Sequence, residues 1–161
     1  NFCIYRIEVT SNGGQRCGAI YSTGAAMTQS SEYDYIFYSV YKYKDSLNGK
    51  DEIIFVGNIA RKLVESFLSF KFPLQRGDLQ NLLDAAYKNE PDNIEKDEIY
   101  RFINIYSHHK KIDVCDQIDI DILESTYSDE INKIFNMMKR LDSEHFDSME
   151  KWAKQEMRQN L

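Results

Sequence analysis

Asp51-Glu-Ile-Ile-Phe-Val-Gly-Asn-Ile-Ala-Arg-Lys-Leu-Val-Glu-Ser-Phe-Leu-Ser-Phe-Lys-Phe72, with Pro73 behind it, is a long helical pattern without a break. Asp51 suits the cap, because its carboxylate can accept from the open N–H groups of a first turn. Pro73 stops the helix, since proline has no N–H to donate and its ring clashes with the preceding turn. Ile53, Val56, Ala60, Leu63, Val64 and Phe67 recur three and four residues apart and form one apolar stripe. Gly57 lies inside the pattern at a cost of about 1 kcal/mol relative to Ala, which points to close packing. A chain organised around such a stripe belongs to the mainly α class.

The same reading extends outward. Upstream, Tyr33, Phe37, Val40, Tyr41 and Lys44 keep helical spacing, and Asn48-Gly49 ends that helix. Residues 2–9 and 16–21 are rich in β-branched and aromatic types and flank Asn12-Gly13-Gly14, a hairpin signal. Residues 22–31 are small and polar and read as a linker. Downstream, a short helix is expected over 79–88 after Gly77-Asp78. Asn89-Glu90-Pro91 is a turn, and Asp92 with Glu95 resembles a capping box. A further helix is expected over 118–141, with Ser125-Thr-Tyr-Ser128 a candidate break. Ser143 is the expected cap of a last helix through Phe146, Met149, Trp152 and Ala153. The expected architecture is a bundle of five or six helices in residues 29–161, with a short N-terminal β-hairpin in residues 1–28.

Arg101-Phe-Ile-Asn-Ile-Tyr-Ser-His108 reads as helix. Seven residues are almost two turns, so Arg101 and His108 share a face, about 20° apart, with Asn104 between them. Ile99, Phe102, Ile103 and Tyr106 form the opposite, core-facing stripe. An arginine can bind phosphate and an imidazole can move a proton near neutral pH. On the long helix, Arg61 and Glu65 stand four apart with Asn58 one turn earlier. Arg before Glu is the less favoured order for a stabilising pair. Between Arg61 and Arg76 the bases Arg61, Lys62, Lys71 and Arg76 face one acid, Glu65, and His109, Lys110 and Lys111 follow His108. Cation is thus gathered around the two motifs in a chain of net charge −6.

Together these residues supply what metal-free RNA cleavage needs. His108 can take the proton of a ribose 2′-hydroxyl. Arg61, with Arg101, can stabilise the charge that builds on phosphorus, and Glu65 can orient a partner or serve as the second acid–base group. The acidic balance excludes a broadly basic nucleic-acid coat. There is no Gly-x-x-x-x-Gly-Lys-Ser/Thr, so this chain alone is not expected to hydrolyse ATP. No run of 18 apolar residues and no signal-peptide pattern occurs. Cys3, Cys17 and Cys115 lack metal spacing and read as free thiols, so no metal site is expected. The opening at Asn1, inside an apolar run, suggests a piece of a longer protein.

Arg101-x6-His108 resembles the Arg-x4–6-His signature of HEPN ribonucleases. The wider set is more specific. Asn58-Ile-Ala-Arg61-Lys-Leu-Val-Glu65-Ser-Phe-Leu, ending at Phe72-Pro73 and followed by Arg101-Phe-Ile-Asn104-Ile-Tyr-Ser107-His108, resembles the C-terminal anticodon-nuclease region of the PrrC/RloC type. There the nuclease follows an ABC-type ATPase head. The resemblance covers roughly residues 30–140, and the hairpin is weakly similar to the end of such a head. It implies a HEPN-like bundle, with Arg61, Glu65 and His108 catalytic. From their places beside these residues in the sequence, Asn58, Arg101, Asn104 and Ser107 are expected to support them, and the gathered cations Lys62, Lys71, Arg76, His109, Lys110 and Lys111 to bind RNA. The resemblance also implies tRNA as substrate, a bacterial cytoplasmic setting in anti-phage defence, and no cofactor in this chain; ATP or GTP with Mg²⁺ would enter only through an attached head. The long Glu65–His108 interval and the doubled His108-His109 depart from PrrC. The competing expectation is a non-catalytic helical assembly or sensing module of a defence ATPase. The aromatic helix Tyr33–Tyr43 and the Trp152 helix suggest a homodimer or higher assembly, since large apolar surface often marks an interface.

Overall fold

A computed structural model describes residues 5–12, 15–22, 31–44, 50–90, 93–105 and 116–159. The described part is mainly helical. Strands β1 (Tyr5–Asn12) and β2 (Gln15–Ser22) pair antiparallel, from Tyr5 opposite Ser22 to Asn12 opposite Gln15. Six helices follow among the described residues: α1 (Glu32–Tyr43), α2 (Lys50–Lys71), α3 (Leu79–Ala86), α4 (Ile94–Ile105), α5 (Asp116–Leu141) and α6 (Ser143–Gln159). The chain divides into two compact units, Asn1–Tyr35 and Ile36–Leu161. The division expected between residues 28 and 29 lies outside the described residues, as do residues 2–4 of the expected first strand.

The ends of the helices follow from their sequences. Ser31 Oγ accepts from Asp34 N while Asp34 Oδ2 accepts from Ser31 N, a capping box that starts α1. Asp78 Oδ1 accepts from Asn81 N at 3.1 Å and starts α3. Gly77, just before it, has φ +91°, a region costly for side chains with a Cβ. Pro73 opens a single 3₁₀ turn, Pro73–Gln75, where α2 has stopped.

Helix α2 is the hub of the second unit and packs against α3, α4 and α5. Val56, Ala60, Leu63, Val64, Phe67 and Leu68 are all buried, so the expected stripe holds from Val56 onward and widens to include Leu68, while the side chain of Ile53 lies outside those described. Gly57 is buried with them. Helix α1 adds Phe37, whose ring lies 5.5 Å from Phe135 of α5 and 5.9 Å from Phe146 of α6. Tyr41 and Phe135 are 5.8 Å apart, and Tyr38 meets Trp152 edge-on. Of the aromatics on α1, Phe37 and Tyr41 are thus buried within one copy of the chain, Tyr38 and Trp152 are half-buried against each other, and Tyr35 is exposed.

Two expectations are corrected. Helix α5 runs through Ser125–Ser128 without a break. Tyr127 is buried against Phe102, ring to ring at 6.0 Å, and Ser128 Oγ donates to Lys44 O at 2.7 Å. These contacts outweigh the weak helix propensity of the segment. Helix α6 is capped by Asp142 rather than Ser143: Asp142 Oδ1 accepts from His145 N at 3.0 Å. Asp92, of the other proposed capping box, lies outside the described residues; its partner Glu95 instead accepts from the Tyr87 hydroxyl.

Candidate active site

Arg61 follows the buried Ala60 on α2 and sits on the flank of the packed stripe, with its side chain 27% exposed. Its Nε donates to Glu65 Oε1 at 2.8 Å, one turn along the same helix. Its NH1 group donates to Asn104 Oδ1 at 2.9 Å. Asn104 belongs to α4, where it follows the buried Ile103 and is turned about 100° from it. The two sequence motifs, 43 residues apart, thus meet through one guanidinium.

This geometry revises the reading of α4. Asn104 does not stand on an outward face. It is half-buried and reaches across to α2, whereas Arg101 is exposed. The periodicity fixes the angle of a side chain on its own helix, not which neighbour lies beyond it. Asn58 is half-buried and has interactions of its own. Ser107, His108, His109, Lys110 and Lys111 lie outside the described residues, as does Tyr106.

The remaining cations divide. Lys62 is exposed on α2. Arg76 is exposed too, and its Nε donates to Ser69 O at 3.0 Å, tying the turn after α2 back onto that helix. Lys71 pairs with Asp142 at 2.6 Å, so the fold gives it a use apart from RNA. The Lys71 ammonium, and then the His145 N–H, hold the Asp142 carboxyl below the usual carboxylate range, against the opposing effect of burial.

A second polar cluster was not foreseen from the sequence. Tyr87, Glu90, Ile94, Glu95, Glu98, Lys133 and Arg140 line one cleft. The buried Tyr87 donates from its hydroxyl to Glu95 Oε1 at 2.5 Å, and the Arg140 guanidinium lies 4.5 Å over the Tyr87 ring. Burial first, and then the Glu95 carboxylate, push the Tyr87 phenol far above its usual range. Arg140 also reaches Glu90 at 3.4 Å, and Lys133 pairs with Glu98 at 2.8 Å and Glu130 at 2.7 Å. Cations here meet anions of the same cluster, which makes it a clasp between α3, α4 and α5. The signal was present as an acidic row, Glu95 and Glu98, and a basic row, Lys133 and Arg140, each at helical spacing. Among the described residues no group of three or more His, Cys, Asp or Glu could hold a metal ion, and no helix is long and apolar enough to cross a membrane.

The model of one family, described as AAA domain, matches residues 12–137. The chain belongs to the AAA-domain family. The matched stretch of this AAA-domain chain contains Arg61, Glu65 and Asn104 as well as the segment with His108. No curated protein matches the chain, and no solved structure does.

Chemically, the Arg61 arrangement is a held cation. Glu65 and Asn104 take N–H groups from two different nitrogens, and charge-assisted bonds of this kind orient as well as attract. An exposed pair four apart contributes only about 0.3–0.5 kcal/mol to a helix, so its main effect is on orientation.

Proposed function

We propose that this chain is the RNA-cutting module of an ATPase-linked anti-phage toxin, a metal-independent endoribonuclease that cleaves tRNA in the anticodon loop. The observation that carries this reading is the Arg61–Asn104 bond, because it joins the two motifs on which the resemblance to HEPN-type anticodon nucleases rests. His108 stands four residues after Asn104 in the sequence. In the proposed reaction His108 takes the proton of the ribose 2′-hydroxyl and O2′ attacks the adjacent phosphorus. The bond to O5′ breaks, and O5′ takes its proton from solvent water. Arg61, oriented by Glu65 and Asn104, faces the charge that grows on the non-bridging oxygens. Single-stranded loops suit such an enzyme, since their backbone can adopt the in-line geometry that a duplex resists. The partners are tRNA, an attached ATPase head and a second copy of the chain, in the bacterial cytoplasm.

A second reading has an observation in its favour. Arg61, Glu65 and Asn104 are bonded to one another, as a structural clasp between α2 and α4 would be. In that case the chain is a helical assembly or sensing module of the ATPase. Incubation of the purified chain with total tRNA in excess EDTA, followed by mapping of the ends, separates the two. The nuclease reading predicts 2′,3′-cyclic phosphate and 5′-hydroxyl ends within anticodon loops. Intact tRNA at all enzyme concentrations contradicts it.

A further inference from the structure

We propose that Asn104 is the positioning residue of an oxyanion site centred on Arg61, and that it serves because it is an amide and not an acid. The inference rests on the reading of Arg61 as the group that meets phosphate. A guanidinium holds its N–H bonds in one plane, so partners on two different nitrogens set that plane. Glu65 takes the Nε–H from within α2, and Asn104 takes an NH1 hydrogen from α4. With Glu65 alone the group could still swing about a single bond. The second bond, from a different helix, holds it.

The two acceptors differ in charge. Glu65 brings a carboxylate, 40% exposed, whose field water screens in part. Asn104 brings a neutral oxygen that accepts the same kind of hydrogen bond. An aspartate at 104 would be close in shape and would grip the guanidinium more strongly. It would also set a further negative charge where an oxyanion must approach. An amide orients Arg61 without cancelling the attraction it offers. The ligand class is therefore a phosphate oxyanion, free or within a phosphodiester.

The test uses the full chain, its Asn104→Ala and Asn104→Asp variants, and two probes. One probe is inorganic phosphate. The other is an anticodon stem-loop carrying 2′-O-methyl groups, which cannot be cut. The readout is the Arg61 Nε–H signal in ¹⁵N-resolved NMR, assigned with Arg61→Lys. In the wild type this signal should move as a probe is added; phosphate alone moving it points to a free-anion site, and the stem-loop moving it at lower concentration points to RNA. Asn104→Ala should weaken binding about tenfold, the loss expected for one charge-assisted hydrogen bond. Asn104→Asp should melt no lower than the wild type yet weaken binding further, with a deficit that shrinks as salt rises. The decisive variant is Asn104→Asp, because it preserves shape where Asn104→Ala could loosen the fold. Wild-type affinity in Asn104→Asp, or an Arg61 signal that neither probe moves, overturns the proposal. A chain that binds through Arg61 as described but never cuts RNA removes the nuclease reading and leaves this assignment standing.

Discussion

Asp142 has two tasks in the structure. It caps α6 through His145 N and holds the Lys71 ammonium at 2.6 Å. Its carboxyl is depressed by Lys71 first and by the His145 N–H second. A carboxyl with a lowered folded-state pKa binds fewer protons than its unfolded counterpart, so stability rises with pH through that range. The contribution is complete above the ordinary Asp value of about 4 and is lost as pH falls through the depressed value. Asn caps a helix as well as Asp does but carries no charge. Asp142→Asn should therefore melt below the wild type near neutral pH, and the gap should close as pH falls below the ordinary Asp range. Melting curves over that range check it; a gap of constant size would show that the Lys71 pair adds nothing. Tyr87 makes a different prediction. It is 3% exposed and donates to Glu95, so Tyr87→Phe leaves a carboxylate short of a donor. The expected cost is about 1–3 kcal/mol, read as a lower urea midpoint at unchanged slope.

At the scale of elements, caps and core rings carry the predictions. Asp78→Ala removes the side-chain acceptor at the start of α3 and should cost about 0.5–2 kcal/mol in urea unfolding. Phe37 is fully buried among Tyr41, Phe135 and Phe146, and Phe37→Ala should cost about 3–5 kcal/mol. Helices of this kind were legible in the sequence because their apolar stripes repeat at helical spacing, as in α2 from Val56 to Phe67. The pairing of β1 with β2 was legible from the Asn-Gly-Gly signal in the sequence between β-rich runs. The Ser125–Ser128 segment was misread because Ser and Thr compete for backbone groups and resemble breakers. What holds it helical is Tyr127 on Phe102 and Ser128 on Lys44 O, contacts that sequence spacing cannot express. The α6 cap was displaced by one residue because Asp142 and Ser143 are both good capping types. Of the candidate site, the Arg61–Glu65 pair was legible as an i, i+4 spacing, while the reach of Asn104 to Arg61 depends on how α4 packs on α2.

For the whole molecule, the acidic balance of −6 means that the proposed RNA substrate would have to be met by a local arrangement, not by a general positive surface. Arg61 is the cation that the two motifs orient together, through Glu65 and Asn104, whereas Lys71 is tied to Asp142, Arg140 belongs to the Tyr87 clasp, and Lys62 and Arg101 are exposed. Binding to tRNA should weaken as salt rises, because counterions are released when few phosphates are neutralised as well as when many are. The central claim is that Arg61 and His108 act on one phosphodiester. Single-turnover cleavage of an anticodon stem-loop in EDTA by the wild type, Arg61→Ala and His108→Ala tests it most directly, with circular dichroism to confirm that each variant is folded. The account predicts that each variant loses about a hundredfold or more in rate while keeping its helix content. Cleavage by folded His108→Ala or Arg61→Ala at the wild-type rate would contradict it.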